Sequence, residues 1–322
     1  MVAGVTPTQL RAFVAVARHG SVKDAAEELD VTEAAVSGHV AALRRELDDP
    51  LFIRASVGIA FTPGGLRLAS RASEMLGLRD RTIREVSEAG RGRRLLRLVT
   101  TSMFAEYCAP GLIQLFTNRA SDLDVELSVR ATDEFPVLLA SRAIDVAIGP
   151  RAPVAADELT RTPFLKYQVA IVTGPASAVA GVRARPESLR DEMWLLGPSA
   201  TEANSLTRRI VETIGVPESN QRIFQSHSAA VEEIKRSRGV GLAVTFAAAD
   251  DLAAGRLVRV DVRGGLQEGV WTAIALPGHS ATPATAELLR FITTPRATQA
   301  MLHGEGATIG HFKPSIHVTL WS

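Results

Sequence analysis

The feature that most restricts this chain is a succession of short, sharply capped helical periods between Thr6 and Leu47. Thr6-Pro7-Thr8-Gln9 reads as a helix start: Thr6 caps, Pro7 suits the first helical position, and Gln9 completes a Thr-x-x-Gln capping box. Leu10, Phe13, Val14 and Ala17 then recur at helical spacing and form one apolar face. Gly20 ends that helix and Ser21 caps the next, with Asp24 three residues on and Ala25, Ala26 and Leu29 as its core face. Asp30-Val31-Thr32 is a tight turn, and Thr32 caps a third helix to about Leu47, in which Val36, Val40, Leu43 and Leu47 make the buried stripe. The opposite face opens with Thr32, Glu33, Ser37 and Gly38. Two small alanines side by side allow close helix approach, as a helix-turn-helix requires; the same pattern also fits other three-helix bundles.

The next residues favour the first reading. Leu51-Phe52-Ile53-Arg54 and Ile59-Ala60-Phe61-Thr62 read as two short strands around Ser56-Val57-Gly58, a wing beside the third helix. Arg54 falls where a wing meets a phosphate backbone, although a solvated surface arginine is the commoner fate of that residue type. Thr62 then caps a long helix to about Ala89. Its heptads place Ala69, Leu76 and Ile83 at one seam position and Ala72, Arg79 and Val86 at the other. Such a stripe wants either a partner helix or the chain's own following domain. Gly90-Arg91-Gly92-Arg93-Arg94 reads as a hinge, with a basic nucleic-acid arm as the alternative.

From Leu95 onward strands and helices alternate. Strands are expected at 95–100, 125–129, 146–148, 169–173, 193–196, 223–225, 241–244 and 271–276. Helices are expected at 104–118, 201–214, 228–237 and 283–293. Alternation of this kind indicates a doubly wound parallel sheet. Ligands in such sheets bind beyond the carboxyl ends of strands, where helix starts present unpaired N–H groups. The turns to inspect are Thr100-Thr101-Ser102, Thr132, Pro198-Ser199-Ala200-Thr201 and Ser226-His227-Ser228. Hydroxyls there can either hold a small molecule or simply cap helices.

Residues 6 to 67 resemble the winged helix-turn-helix of the LysR-type transcriptional regulators almost position by position. The resemblance rests on Leu10, Phe13, Gly20-Ser21, Ala25-Ala26, Leu29, Ala35-Val36-Ser37, Leu43, Leu47, Leu51-Phe52, Arg54 and Thr62-Pro63-Gly64-Gly65. Residues 95 to 295 are similar to the effector domain of that family, through Ile144-Asp145-Val146-Ala147-Ile148-Gly149, Arg238-Gly239-Val240-Gly241-Leu242-Ala243 and Gly255-Arg256-Leu257-Val258. The resemblance implies a winged DNA-binding domain over 1–67, a dimerising linker helix and hinge over 62–94, and an effector domain of periplasmic-binding-protein fold over 95–302. It divides that domain into lobe one, 95–167 plus 270–295, and lobe two, 168–269, and leaves 303–322 as an extension. It also implies that Ser21, Thr32, Glu33, Ala34, Ser37, Gly38, His39 and Arg54 contact double-stranded operator DNA. A small-molecule effector, an anion among the candidates, would meet Thr100, Thr101, Ser102, Thr132, Ser199 and Thr201, and the protein would be a homodimer or homotetramer. Three departures stand out. Glu33-Ala34 replaces the family's Gln-Pro, Gly38-His39 replaces a basic residue, and Met103 replaces a hydroxyl. Glu33 can accept from a cytosine amino group rather than read adenine, so an unusual half-site is expected.

The remaining sequence excludes more than it adds. The net charge is +1, and the first 67 residues hold seven Lys/Arg against eight Asp/Glu, so bulk electrostatics do not betray nucleic-acid binding. Cys108 is the one cysteine, which rules out an intrachain disulfide. No signal peptide or apolar run long enough for a bilayer is visible, so a cytoplasmic protein without membrane contact is expected. Gly239-Val240-Gly241 follows a helix and precedes a strand, the reverse of a dinucleotide loop, and no catalytic or cofactor motif occurs. His303, His311 and His317 lack tight ligand spacing, so no metal is expected. A small-molecule enzyme on an α/β scaffold, or an architectural DNA-binding protein whose lobes only oligomerise, remain the competing functions.

Overall fold

The computed structural model describes residues 4–54, 59–150, 159–236 and 239–303. The chain forms two compact units, the first running through Arg91 with residues 140–143, the second from Gly92 onward.

In the first unit, α1 (Pro7–His19), α2 (Val22–Leu29) and α3 (Glu33–Leu47) are each opened by the expected cap. Thr6 and Gln9 form the reciprocal box, and Ser21 and Thr32 accept from the amides of Asp24 and Ala35. The helices close over Leu10, Phe13, Val16, Ala25, Ala26, Val36, Val40 and Leu43. Two details differ from the sequence pattern. Ala12, Ala15 and Val16 are the buried partners of Leu10 and Phe13 on α1, while Val14 is only half-buried. Leu47 is 40% exposed, because it stands in the last turn before the chain leaves α3 through the left-handed Asp48.

The strands β1 (Phe52–Arg54) and β2 (Ile59–Phe61) pair antiparallel, and Phe13, Phe52 and Phe61 meet with ring centroids 6.2 to 6.4 Å apart. Asp49 ties this corner by accepting from the Leu51 amide at 2.6 Å and the Thr62 hydroxyl at 2.7 Å. Thr62 in turn caps α4 (Pro63–Arg91) through the Gly65 amide. A glycine is required at 65, since a Cβ there would stand 1.8 Å from the Leu51 carbonyl oxygen.

The second unit contains, in order, β3 (Arg94–Thr100), α5 (Ser102–Tyr107), α6 (Ala109–Thr117), β4 (Leu123–Val129), α7 (Phe135–Ala140), β5 (Val146–Pro150) and β6 (Thr160–Thr173). There follow β7 (Trp194–Leu196), α8 (Leu206–Ile214), β8 (Gln221–Ile223), α9 (His227–Arg236), β9 (Val240–Val244) and α10 (Ala249–Ala253). The unit ends with β10 (Val258–Arg259), β11 (Leu266–Ala275), α11 (Pro283–Ile292) and α12 (Pro295–His303). Among the described residues the strands form one sheet in the order β4-β3-β5-β11-β6-β9-β7-β8, with β10 beside β6. The three strands at each end are parallel to one another and make the two lobes. The sheet is not wholly parallel, however. β6 and β11 run antiparallel to each other over ten paired positions, with a bulge between Trp271 and Thr272, and each is antiparallel to its lobe's strands. Both cross from one lobe to the other, which imposes the reversal.

Two expected helices are also revised. The helix anticipated over 104–118 is broken at Cys108, just ahead of Pro110, into α5 and α6. The one anticipated from 201 starts at Leu206 under a Ser205 cap, because Pro198–Ala200 is a 3-10 turn. The core includes Trp194, Trp271, Phe104, Leu98, Leu112 and Ile148, all fully buried. Tyr167 stacks on Trp271 with centroids 3.9 Å apart. The expected hinge is narrower than its sequence implied. α4 includes Gly90 and Arg91, while Arg93 pairs with Asp124 and Arg94 with Asp122 and Glu287, which leaves little of a free basic arm.

Candidate DNA-reading helix and interlobe cleft

On α3 the apolar stripe faces inward, so geometry leaves the other face to solvent. Thr32, Glu33, Ala34, Ser37 and Gly38 are exposed and His39 is half-buried, which brings the anticipated contact residues onto one helical surface. Ser21 is half-buried and occupied in capping α2. The side chain of Arg54 lies outside the described residues. The wing itself is braced by Arg44, which donates to the Phe52 carbonyl at 2.8 Å with its guanidinium 4.5 Å from the centre of that ring. Few basic side chains stand free on α1 and α2, since Arg18 and His19 both engage Glu28.

The seam positions on α4 separate into two groups. Ala72 is fully buried in the three-helix core, and Ala69 and Leu76 pack partly against the same core. Ala72 is therefore a correction: it faces α4's own unit and is closed to a partner. Arg79 pairs with Asp80 at 2.7 Å. Ile83 and Val86 are exposed, and Met75 and Leu78 fall on the same side of the helix and are exposed too.

The anticipated effector residues gather where the lobes meet. Thr101 stands at the start of α5 without making a capping bond, and the Ser102 Oγ is buried with no hydrogen-bond partner in the structure. The Ser102 amide donates to Glu202 of the opposite lobe at 3.0 Å, and the Thr132 hydroxyl donates to the Ala203 carbonyl at 3.1 Å. Thr100 is a correction: its hydroxyl is buried and donates to the Ile148 carbonyl, so it belongs to the sheet. Thr201 is exposed and donates to Pro198 of its own turn. Met103 is buried in the apolar core.

Ser199 leads to His227, on a turn the sequence had marked, and to Thr207 and Glu106, which it had not. It is 2% exposed, accepts from the Thr207 hydroxyl at 2.8 Å, and lies 2.8 Å from His227 Nε2. The other ring nitrogen, Nδ1, is 2.8 Å from Glu106 on α5. Since Thr207 donates to Ser199, the Ser199 proton is available to Nε2, and the Nδ1 proton to Glu106. The donor directions thus run one way and end on a carboxylate. Glu106 accepts in addition from the amides of His227 and Ser228 and from the Ser228 hydroxyl. Burial pushes this carboxyl up, but the bonds from His227 and Ser228 outweigh burial and bring it down to about 2. A carboxylate–imidazole–hydroxyl chain is the layout of nucleophilic catalysis. Here the hydroxyl is sealed from solvent and already bonded to Thr207, so the chain works as a buried spine. Beside it, Tyr107, Ser228, Lys235 and Asp251 line a cavity of about 130 Å³, in which Lys235 is held by Asp251 at 2.5 Å and Glu232 at 2.6 Å. Only hydroxyl-rich turns had marked this region in the sequence. Glu106 lies near the end of α5 and more than a hundred residues from its partners, so no local motif carried it.

A capped helix with its wing and a two-lobed α/β domain whose lobes meet through polar side chains together define a class, the ligand-sensing DNA-binding transcription regulators. The chain matches the family model "Bacterial regulatory helix-turn-helix protein, lysR family" over residues 7–66 and the "LysR substrate binding domain" over 89–295. It belongs to the LysR family of transcriptional regulators. An uncharacterized HTH-type transcriptional regulator of Mycobacterium tuberculosis is 52% identical over 321 residues, covering 99% of this chain and all of the relative. A RuBisCO operon transcriptional regulator of Allochromatium vinosum is 30% identical, over 91% of this chain and 97% of its own. Among solved structures, ArgP from Mycobacterium tuberculosis shares the fold with a TM-score of 0.58 at 17% identity, over 89% of this chain and 97% of that one. A full-length OxyR variant from Pseudomonas aeruginosa gives 0.55 at 20% identity, over 90% and 98%. No helix among the described residues is long and apolar enough to cross a membrane.

Proposed function

We propose that this LysR-type regulator reads its operator through the start of α3, with Glu33, Ala34, Ser37, Gly38 and His39 against base edges and phosphates, and that it works in the cytoplasm as a dimer or tetramer joined through the exposed stripe of α4. The observation that carries this reading is the α3 surface: a helix start capped by Thr32, exposed along one face, over a core sealed by Val36, Val40 and Leu43. Glu33 in the first turn favours cytosine, whose amino group it can accept from, and its charge opposes the phosphates. Selection of bound duplexes from a random pool, for the wild type and for Glu33→Gln, tests this. A shift of base preference at one position per half-site is expected, with tighter binding by the variant. An unchanged preference removes Glu33 from the readout, and a wild type without sequence preference at low salt overturns the operator reading.

The effector is proposed to enter the cleft between Thr101, Ser102 and Thr132 on one side and Ser199 to Glu202 on the other. Support comes from the unpartnered Ser102 hydroxyl, which lies where the two lobes touch. One observation favours a second reading, in which DNA binding proceeds without an effector: Thr132 and the Ser102 amide already have cross-lobe partners. A thermal-shift screen of small organic acids, amines and sugars separates the two, because the first requires a ligand that raises Tm and loses its effect in Ser102→Val.

A further inference from the structure

The first turn of α9 is fully supplied with acceptors, and the acceptor comes from the other lobe. Of its opening amides, Ala229 donates to the Ser226 hydroxyl of the same turn. His227 and Ser228 donate instead to Glu106, at 2.8 and 2.7 Å. The Ser228 hydroxyl and the His227 ring complete four bonds to that one carboxylate. A helix start is a seat for an anion, because its N–H groups and dipole act together. Lobe one fills the seat in lobe two with its own side chain. The reverse exchange also occurs: Glu202 of lobe two takes the Ser102 amide that opens α5 in lobe one. Both contacts are polar additions to a buried apolar core that runs through the two lobes as one cluster. Both contacts hold only while the lobes face each other as they do here.

We propose that Glu106 is a built-in ligand, which seats its carboxylate on the first turn of α9 and latches the two lobes together when no effector is present. The His227 ring, fixed between Glu106 and Ser199 and lying 5.8 Å from Tyr107, carries the latch into the buried hydroxyls of Ser199, Thr207 and Ser205. Two states follow. In the latched state the cleft presents carboxylates and hydroxyls. In the released state the start of α9 is an open anion seat. A ligand carboxylate must compete with Glu106 for that seat, whereas a ligand that donates hydrogen bonds can bind with the latch shut. The latch itself rests on the chain's own geometry and stands whether or not the cleft proves to be the effector site.

Hydrogen exchange by mass spectrometry on the full chain tests the latch, with acetate as the probe. Without any ligand, Glu106→Ala is expected to raise exchange about tenfold in peptides over 226–230, 100–106 and 199–207, and to leave β3, β4 and the α1–α3 unit unchanged. Acetate is expected to restore protection in Glu106→Ala and to do nothing to the wild type. Unchanged exchange at 226–230 overturns the proposal, and so does protection by acetate that is equal in both proteins. A uniform rise through both lobes overturns it too, since Glu106 would then be a general stabilising contact. Should Glu106→Ala fail to fold, Glu106→Gln and Ser228→Ala give the same readout with fewer bonds lost, and wild-type exchange in both refutes the latch.

Discussion

Glu106→Gln isolates the charge of the cross-lobe carboxylate while keeping its shape, and its effect on stability depends on pH in a direction the structure fixes. The carboxyl is lowered from 4.5 to about 2 in the folded chain. That difference corresponds to about 3 kcal/mol of preference for the charged form on folding. Because the folded value lies below the unfolded one, the contribution is complete above pH 4.5 and disappears as pH falls toward about 2. At pH 7 the variant is therefore expected to unfold about 3 kcal/mol more easily than the wild type, and the gap should close steadily through that acid window. Urea unfolding followed by tryptophan fluorescence measures this directly, since Trp194 and Trp271 are both fully buried in the same unit. A Trp321→Phe background leaves those two as the reporters. Other carboxylates titrate in both proteins alike and cancel in the comparison. A gap that stays constant from pH 7 to 3, or a variant as stable as the wild type at pH 7, refutes the claim that the four bonds hold a charged Glu106.

Other outcomes follow from the first unit and the cleft. Leu43→Ala removes a fully buried side chain from the three-helix core and is expected to cost about 3 kcal/mol in a denaturant titration. Gly65→Ala forces a methyl into the Leu51 carbonyl and should destabilise by about 3 kcal/mol, lowering Tm and operator affinity together. Val86→Asp places a charge on the exposed apolar stripe of α4; sedimentation should show weaker self-association while circular dichroism remains unchanged. Thr132→Val removes the donor to Ala203 and is expected to cost about 1 kcal/mol, with faster exchange of the amides near 203.

Local chemistry determined what could be read before the structure. Thr6, Ser21 and Thr32 announce helix starts because a hydroxyl satisfies amides three residues away, and all three do so. Most strand positions of the second unit were legible for the same reason of scale, since apolar runs mark buried strands, but β6 begins well before the expected 169, β8 ends where a strand was expected to start, and β10 was not foreseen. The strand directions were not legible. Nothing local to 160–173 or 266–275 tells that these segments run antiparallel and cross between lobes; that comes from closing one sheet over two lobes. The cleft shows the same boundary. Ser102 and Thr132 lie on turns that the alternation located, whereas Thr100, one residue earlier, proved to be a sheet donor. Glu106 resembled any exposed helical glutamate until the fold brought His227 and Ser228 beside it.

The two long strands that pass between the lobes have a mechanical consequence. β6 and β11 are bonded to each other along ten positions, and Tyr167 lies flat on Trp271 next to the bulge. A paired ribbon of this kind bends and twists readily but resists sliding, because sliding would break every rung at once. Any opening of the lobes should therefore be a swing about the ribbon near Trp271 with the strand register preserved. Its amplitude would be governed by how far two stacked rings can tilt before they part.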